Sequence, residues 1–153
     1  MTTDTYDTMY VGVNVFVMRE GKLLFGKRKN IFGDGTWALP GGHLEKGENI
    51  ADAAARELKE ETNLIAPTTE LEFRTLVNTP NGSRGHYIQL GFLAKEVIGE
   101  PENLEPDRCY ELGWFEPSKL PAAIFPTHDE MIKNFFGGKY FADAPLKSYI
   151  VTT

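Results

Sequence analysis

GGHLEKGENIADAAARELKEETNL, residues 41–64, joins a glycine-punctuated loop to a segment from Asn49 to Thr62 that is rich in Ala, Leu, Glu and Lys, the composition of a helix. On that helix Glu57, Glu60 and Glu61 fall three and four residues apart, so their side chains are neighbours. Like charges so placed cost about a few tenths of a kcal/mol per pair. Arg56 and Lys59 neutralise part of that charge, and a solvated acidic face is the ordinary outcome for such a run. The preceding loop changes the reading. Gly41, Gly42 and Gly47 let the backbone approach a ligand closely, because glycine has no Cβ and tolerates positive φ. A hard cation such as Mg²⁺ takes carboxylate and carbonyl oxygens and bridges to substrate phosphates. Three carboxylates beside a loop carbonyl meet that requirement, and a bound cation converts their repulsion into coordination. Ala51, Ala54 and Leu58 are expected to face the core.

Working outward, YVGVNVFVMRE (10–20) and KLLFGKRK (22–29) are rich in strand formers, and Glu20-Gly21 suits a tight antiparallel connection between them. TWALP (36–40) is a shorter extended piece stopped by Pro40. LEFRTLVNT (71–79) and HYIQLGFLAKEV (86–97) flank PNGSRG, whose Asn81-Gly82 pair marks a hairpin loop. ELGWFEP (111–117) supplies a last strand. Thr127 and Glu130 have the spacing of a capping box ahead of MIKNFF, and Gly137-Gly138 ends that helix. A mixed sheet packed against helices is the expected architecture.

The chain has 153 residues, 41% hydrophobic and 25% charged, which suits one globular domain spanning 1–153 with one core. A formal charge of −6 argues against a protein that coats nucleic acid polymer or an anionic membrane. Cys109 is the only cysteine, so no intrachain disulfide forms and a reducing compartment is the simplest setting. MTTDTYDTMY lacks the basic and apolar regions of a secretory signal, and no apolar run approaches the roughly 20 residues that span a bilayer. The expected location is the cytoplasm.

The segment from Gly41 to Leu64 resembles the Nudix box, G-x5-E-x7-R-E-U-x-E-E-x-G-U, with U a bulky aliphatic. Gly42 opens it, Glu48 follows, then Arg56-Glu57-Leu58, Glu60-Glu61 and the closing Leu64. Asn63 replaces the last glycine, and Asn is the next-best residue for the left-handed conformation at a helix end. LLFGKRKN (23–30), WALPGGHLE (37–45) and EPDRCYELGWFEPSKLP (105–121) extend the similarity to MutT-like nucleoside triphosphate diphosphatases over about Tyr10 to Pro121.

That resemblance implies an α/β/α sandwich with a mixed central β-sheet and a metal-dependent pyrophosphohydrolase of small nucleotides. It implies that Glu57, Glu60, Glu61 and the main-chain carbonyl of Gly42 or Gly41 hold Mg²⁺ or Mn²⁺, and that Glu48 and Arg56 pair to hold the loop against the helix. The general base is either a box glutamate or a carboxylate from the loop before the last strand, for which Glu105 is the candidate, with Glu102 and Glu111 behind it. Arg28 matches a phosphate-contacting arginine, and strand alternation sends it to the face opposite Lys27 and Lys29. Phe125 is the candidate for stacking a base, among Trp37, Tyr87 and Phe115, whose spacing otherwise suits core packing. His43, without a second nitrogen or sulfur ligand nearby, reads as structural. Homodimers are common among the resembling proteins.

The leading activity is hydrolysis of nucleoside triphosphates, dGTP-like, oxidised or related, to monophosphate and pyrophosphate. The alternative is hydrolysis of ADP-ribose, nucleotide sugars or dihydroneopterin triphosphate; the ADP-ribose subgroup often carries a proline roughly fifteen residues beyond the box, and Pro80 falls one position late. A non-catalytic nucleotide-binding module usually loses box carboxylates, and this chain keeps them. An mRNA-decapping role lacks the extended basic stripe that an RNA body requires.

Overall fold

The computed structural model describes residues 8–82 and 84–144; the first seven residues of the leader reading, Ser83 in the predicted turn, and residues 145–153 lie outside the described residues. A mixed five-stranded sheet is formed by β1 (Met9–Phe16), β5 (Gly41–His43), β6 (Leu71–Gly82), β7 (Gly85–Ala94) and β9 (Phe141–Asp143), in the order β5-β1-β7-β6-β9. β1 runs parallel to β7 and β6 parallel to β9, while β5 and the β6–β7 hairpin pair antiparallel. A second, antiparallel sheet is centred on β3 (Lys22–Arg28), which pairs with β2 (Met18–Arg19), β4 (Trp37–Ala38) and β8 (Cys109–Phe115). Helix α1 (Ile50–Thr62) and helix α2 (His128–Gly137) complete the fold.

Alternation along β1 sorts its side chains between the two helices. Val13 and Val15 are fully buried against Ala53, Ala54 and Leu58 of α1, together with Leu90 and Phe92 from β7. Burying an aliphatic side chain of this size is worth about 1.5–3 kcal/mol. Phe16 lies on the other face, stacked on Phe135 of α2 and packed with Val77 and Met131. The sheet is therefore covered on both faces, as the α/β/α expectation requires. No helix among the described residues is long and apolar enough to cross a membrane.

Local details match the sequence in several places. Glu20 and Gly21 have φ values of 51° and 74°, the sign that a two-residue primed turn demands, and they join β2 to β3. Asn63 adopts the left-handed conformation at φ 63° and closes α1 by donating its N–H to the Lys59 carbonyl. Gly138 does the same for α2.

Elsewhere the structure corrects the expectations. The first extended segment is not one strand: it breaks at Val17, so that β1 joins the large sheet and β2 the small one. Gly41–His43 is not loop but strand β5, because β1 offers it an open edge. Ala51 is only half-buried, and Ala53 takes the core position beside Ala54. The capping box is absent. Thr127 sits at φ 78° and its hydroxyl makes no bond among the described residues, while the Asp129 carboxylate accepts the Glu130 N–H at 2.8 Å. β9 carries too short a pattern to stand out in sequence, and β6 alone defines it.

Gly41 is required by the crossing of β5 over β1. An added Cβ would stand 2.3 Å from the Val13 carbonyl oxygen and 2.9 Å from the Asn14 Cα, both backbone atoms that cannot yield cheaply. Gly41→Ala is expected to lower stability by about 2 kcal/mol or more, read as a lowered urea midpoint. Gly137→Ala, with open space around the new methyl, is expected to leave the midpoint unchanged or raise it slightly.

Candidate active site

Helix α1 meets the glycine loop through one side chain. Arg56 donates Nε to Glu48 Oε1 at 2.6 Å and Nη2 to Glu48 Oε2 at 3.1 Å, a two-pronged ion pair, and Nη2 also reaches the His43 carbonyl at 3.2 Å. Such forked pairs fix direction as well as distance. Glu48 is held well below the ordinary carboxylate range, chiefly by the hydrogen bond from Arg56, and the same bond raises the arginine further. The remaining nitrogen, Nη1, points along the helix to Glu57 Oε1 at 2.9 Å and Glu60 Oε2 at 3.3 Å.

Glu61 turns toward β5, where its Oε2 accepts the Gly41 N–H at 3.1 Å. Part of its surface stays open to the cleft, yet burial pushes its carboxyl up to about 8, against the pull of the Gly41 N–H and with further push from the charges of Glu57 and Glu105. Burial also raises Glu57, and the neighbouring Glu60 and Glu105 add to the effect. Glu105, from the loop before β8, thus lies within electrostatic reach of both helix carboxylates. Its segment is ordered by Asn103, whose Oδ1 accepts the Glu105 N–H at 3.1 Å and whose Nδ2 donates to the Cys109 carbonyl at 2.8 Å. Glu102 and Glu111 do not line the cleft.

These carboxylates border a cleft of about 650 Å³ that also takes in Gly42, Arg28 and Phe125. Gly42 lies against α1 so closely that an added Cβ would stand 2.3 Å from the Glu57 carboxyl carbon. The loop is therefore shaped around that carboxylate. Among the described residues no three acidic side chains already converge to ligand distance. The donor set of hard oxygens nevertheless suits Mg²⁺ or Mn²⁺.

The basic end of β3 divides as alternation dictates. Lys27 and Lys29 lie beside the Tyr110 ring, with nitrogens 5.8 and 5.4 Å from its centroid. Arg28 faces the cleft instead, donating Nε to the Phe32 carbonyl at 2.7 Å with its guanidinium 4.3 Å from the centre of the Phe125 ring. Burial lowers its pKa to about 10, partly countered by Glu61. Arg28 and Phe125 thus meet as one stacked pair. Trp37 and Phe115 pack edge to face at 4.8 Å inside the small sheet, away from any stacking role. Tyr87 stacks on Tyr10 at 4.9 Å and reaches His43 Nε2 with its hydroxyl at 3.3 Å. His43 serves the loop through its carbonyl, and burial lowers its ring pKa.

Sequence reading missed Asn14, Gln89 and His128, all of which line the cleft. Asn14 and Gln89 are polar residues inside strand patterns, and only the register that places them side by side reveals their bond of 2.7 Å.

The raised Glu61 pKa has a measurable sign. Without metal, the folded chain holds the Glu61 proton up to about pH 8, whereas an unfolded glutamate releases it near pH 4.5. The contribution is fully present below pH 4.5 and is lost as pH rises towards 8. In chelator, the melting temperature of the native chain is therefore expected to fall more steeply between pH 5 and 8 than that of Glu61→Gln, which keeps an acceptor for Gly41. Mg²⁺ is expected to restore the native chain chiefly at the upper end of that window. Parallel melting curves for both chains check this.

Comparison with known proteins agrees with this geometry. The NUDIX domain family model matches residues 9–135. An ADP-ribose pyrophosphatase of Methanocaldococcus jannaschii is 34% identical over 129 residues, covering 84% of this chain and 74% of the relative. The oxidized purine nucleoside triphosphate hydrolase of Mus musculus is 34% identical over 113 residues, covering 71% and 67% respectively. The crystal structure of a MutT NUDIX hydrolase from Burkholderia pseudomallei superposes with a TM-score of 0.78 at 29% identity, covering 84% of this chain and 98% of that one. With the loop-helix box at one cleft and the family matched over most of its length, this chain belongs to the NUDIX family and is a MutT-like Nudix hydrolase acting on pyrophosphate bonds.

Proposed function

We propose that this hydrolase converts nucleoside triphosphates, dGTP-like, oxidised or related, to monophosphate and pyrophosphate with the help of Mg²⁺ or Mn²⁺. One observation carries the reading: the carboxylates of Glu57, Glu60, Glu61 and Glu105 border the same cleft as the Arg28–Phe125 pair, so an anionic polyphosphate and an attached ring have adjoining places. The similarity to the mouse oxidized purine nucleoside triphosphate hydrolase supports it.

Glu57, Glu60 and Glu61 would hold the metal, with the Gly42 or Gly41 carbonyl; when bound, it supplies Lewis acidity to phosphate oxygens and lowers the pKa of a bound water. Arg28 is placed to fork onto a phosphate oxygen in exchange for its Phe32 carbonyl partner. Glu105 takes the proton of the attacking water. The new bond joins that water oxygen to one of the two phosphorus atoms flanking the α–β bridge, and the bond from that phosphorus to the bridging oxygen breaks. Arg56 keeps Glu57 and Glu60 in register before the metal arrives. Phe125 packs the base beside Arg28. The half-buried, unpaired Cys109 supports a cytoplasmic setting.

The similarity to the Methanocaldococcus jannaschii ADP-ribose pyrophosphatase favours a second reading, hydrolysis of ADP-ribose or related diphosphates, which uses the same carboxylates and metal.

A panel of nucleoside triphosphates, dihydroneopterin triphosphate, ADP-ribose and nucleotide sugars, assayed with Mg²⁺ and with chelator, separates the two. Metal-dependent monophosphate plus pyrophosphate from a triphosphate is the expected result, and turnover of diphosphate-linked compounds alone contradicts it. Glu60→Gln nearly preserves side-chain size and is expected to lower turnover by at least about tenfold while melting stays close to that of the parent. Unchanged turnover removes Glu60 from the metal set.

A further inference from the structure

The walls of the cleft built by β1, β7 and α2 have a different chemistry from the acidic helix face. Gly12 on β1 has no side chain, and a Cβ there would stand 2.0 Å from Gln89 Oε1, so Gln89 of β7 lies flat across the sheet. Asn14, next on the same face, directs Nδ2 to the Leu90 carbonyl at 3.4 Å and to Gln89 Oε1 at 2.7 Å. That bond occupies the acceptor of the Gln89 amide. Its Nε2 donors have no partner among the described residues.

His128 opens α2 from the opposite wall. Its Nδ1 accepts the Leu39 N–H at 3.0 Å, so the ring proton resides on Nε2, which likewise has no partner among the described residues. Burial, with a smaller contribution from the nearby Arg28 charge, lowers the ring pKa to about 3, so this histidine is neutral at physiological pH. Met131, one turn further along α2, brings its sulfur to 3.8 Å from Asn14 Nδ2 and ties the two walls together. Gln89 is 7% exposed and His128 4%, and both line the cleft.

Two fixed, nearly buried donors therefore face the cleft without protein acceptors. Among the described residues the carboxylates lining it come from the box and from Glu105, not from these walls. The Thr79 and Thr127 hydroxyls, also unpartnered, line the same cleft and add no fixed acceptor. A donor that a bound ligand seals from water without offering it an acceptor costs about 1–3 kcal/mol.

We propose that His128 and Gln89 are the specificity-determining donors of this hydrolase, reading the 6-oxo oxygen of a purine and rejecting a 6-amino purine. The inference rests on the nucleotide reading of the cleft. A 6-oxo oxygen carries two lone pairs and accepts from both donors, whereas a 6-amino group brings a third donor to a place that already has two. Sites built to hydrogen-bond one substrate group discriminate strongly when the partner group is missing, because their own polar groups stay unpaired.

Calorimetric titration with inosine and adenosine monophosphates, in chelator so that no hydrolysis runs, tests it. The native chain is expected to bind the inosine nucleotide at least about tenfold more tightly. His128→Asn places Oδ1 the same number of bonds from Cβ as Nδ1, keeping the Leu39 bond while removing the outer donor. Gln89→Glu keeps an acceptor for Asn14 and turns the other end into a second acceptor. Both are expected to bring the ratio to about one or invert it, with melting temperatures near that of the parent. Equal affinities in the native chain, binding of neither nucleotide, or a ratio that survives both substitutions overturns the proposal. An inosine preference in a chain that hydrolyses no triphosphate with Mg²⁺ removes the triphosphate reading and leaves base recognition standing. Triphosphate hydrolysis without the preference does the reverse.

Discussion

The guanidinium of Arg56 organises the acidic end of the molecule. One planar group spans Glu48 in the loop, the His43 carbonyl at the end of β5, and Glu57 and Glu60 on the helix. Without it, these three carboxylates would face one another across a glycine-rich segment that has little side-chain packing of its own. Lysine offers one ammonium where three nitrogens are used, so the fork cannot be replaced by charge alone. The same contacts settle where the backbone of Gly41 and Gly42 lies, and close approach to Val13 and Glu57 then requires that both positions carry no Cβ.

Packing and electrostatics are coupled through β5. Because β5 pairs with β1, the loop that bears the box becomes part of the large sheet, and the Gly41 N–H is left free to bind Glu61. The helix is in turn fixed from below by Leu58, Ala53 and Ala54 against Val13 and Val15. The acidic face is thus held at a set distance from the sheet, and burial raises the pKa of Glu61 and Glu57 in the absence of a counter-charge. A divalent cation held by these carboxylates, as proposed, would relieve that electrostatic cost. Asn14, Gln89 and His128, which line the same cleft, present neutral side chains to it.

Much of this was legible in the sequence because it depends on near neighbours. The glutamate spacing, the Asn63 helix stop and the Glu20-Gly21 turn are all decided within a few residues, and the structure places them as read. The side Arg28 faces followed from alternation alone. The break at Val17, the conversion of Gly41–His43 to strand and the short β9 each depend on a partner strand distant in the chain. The Thr127 capping box failed for a similar reason: the backbone turns left-handed there, and a neighbouring aspartate takes the Glu130 N–H instead. His128 and Gln89 carried no motif, and only the pairing of Leu39 with α2 and of Gly12 with β7 brings them to the cleft.

The acidic face of α1 is the proposed place of the divalent cation. Electron paramagnetic resonance of free Mn²⁺, titrated with the native chain and with the variant carrying Glu57→Gln, Glu60→Gln and Glu61→Gln together, measures it directly. The native chain is expected to deplete the free Mn²⁺ signal, and the triple variant, still folded by its far-ultraviolet circular dichroism, is not. Equal depletion by both chains would place the metal elsewhere and contradict the account.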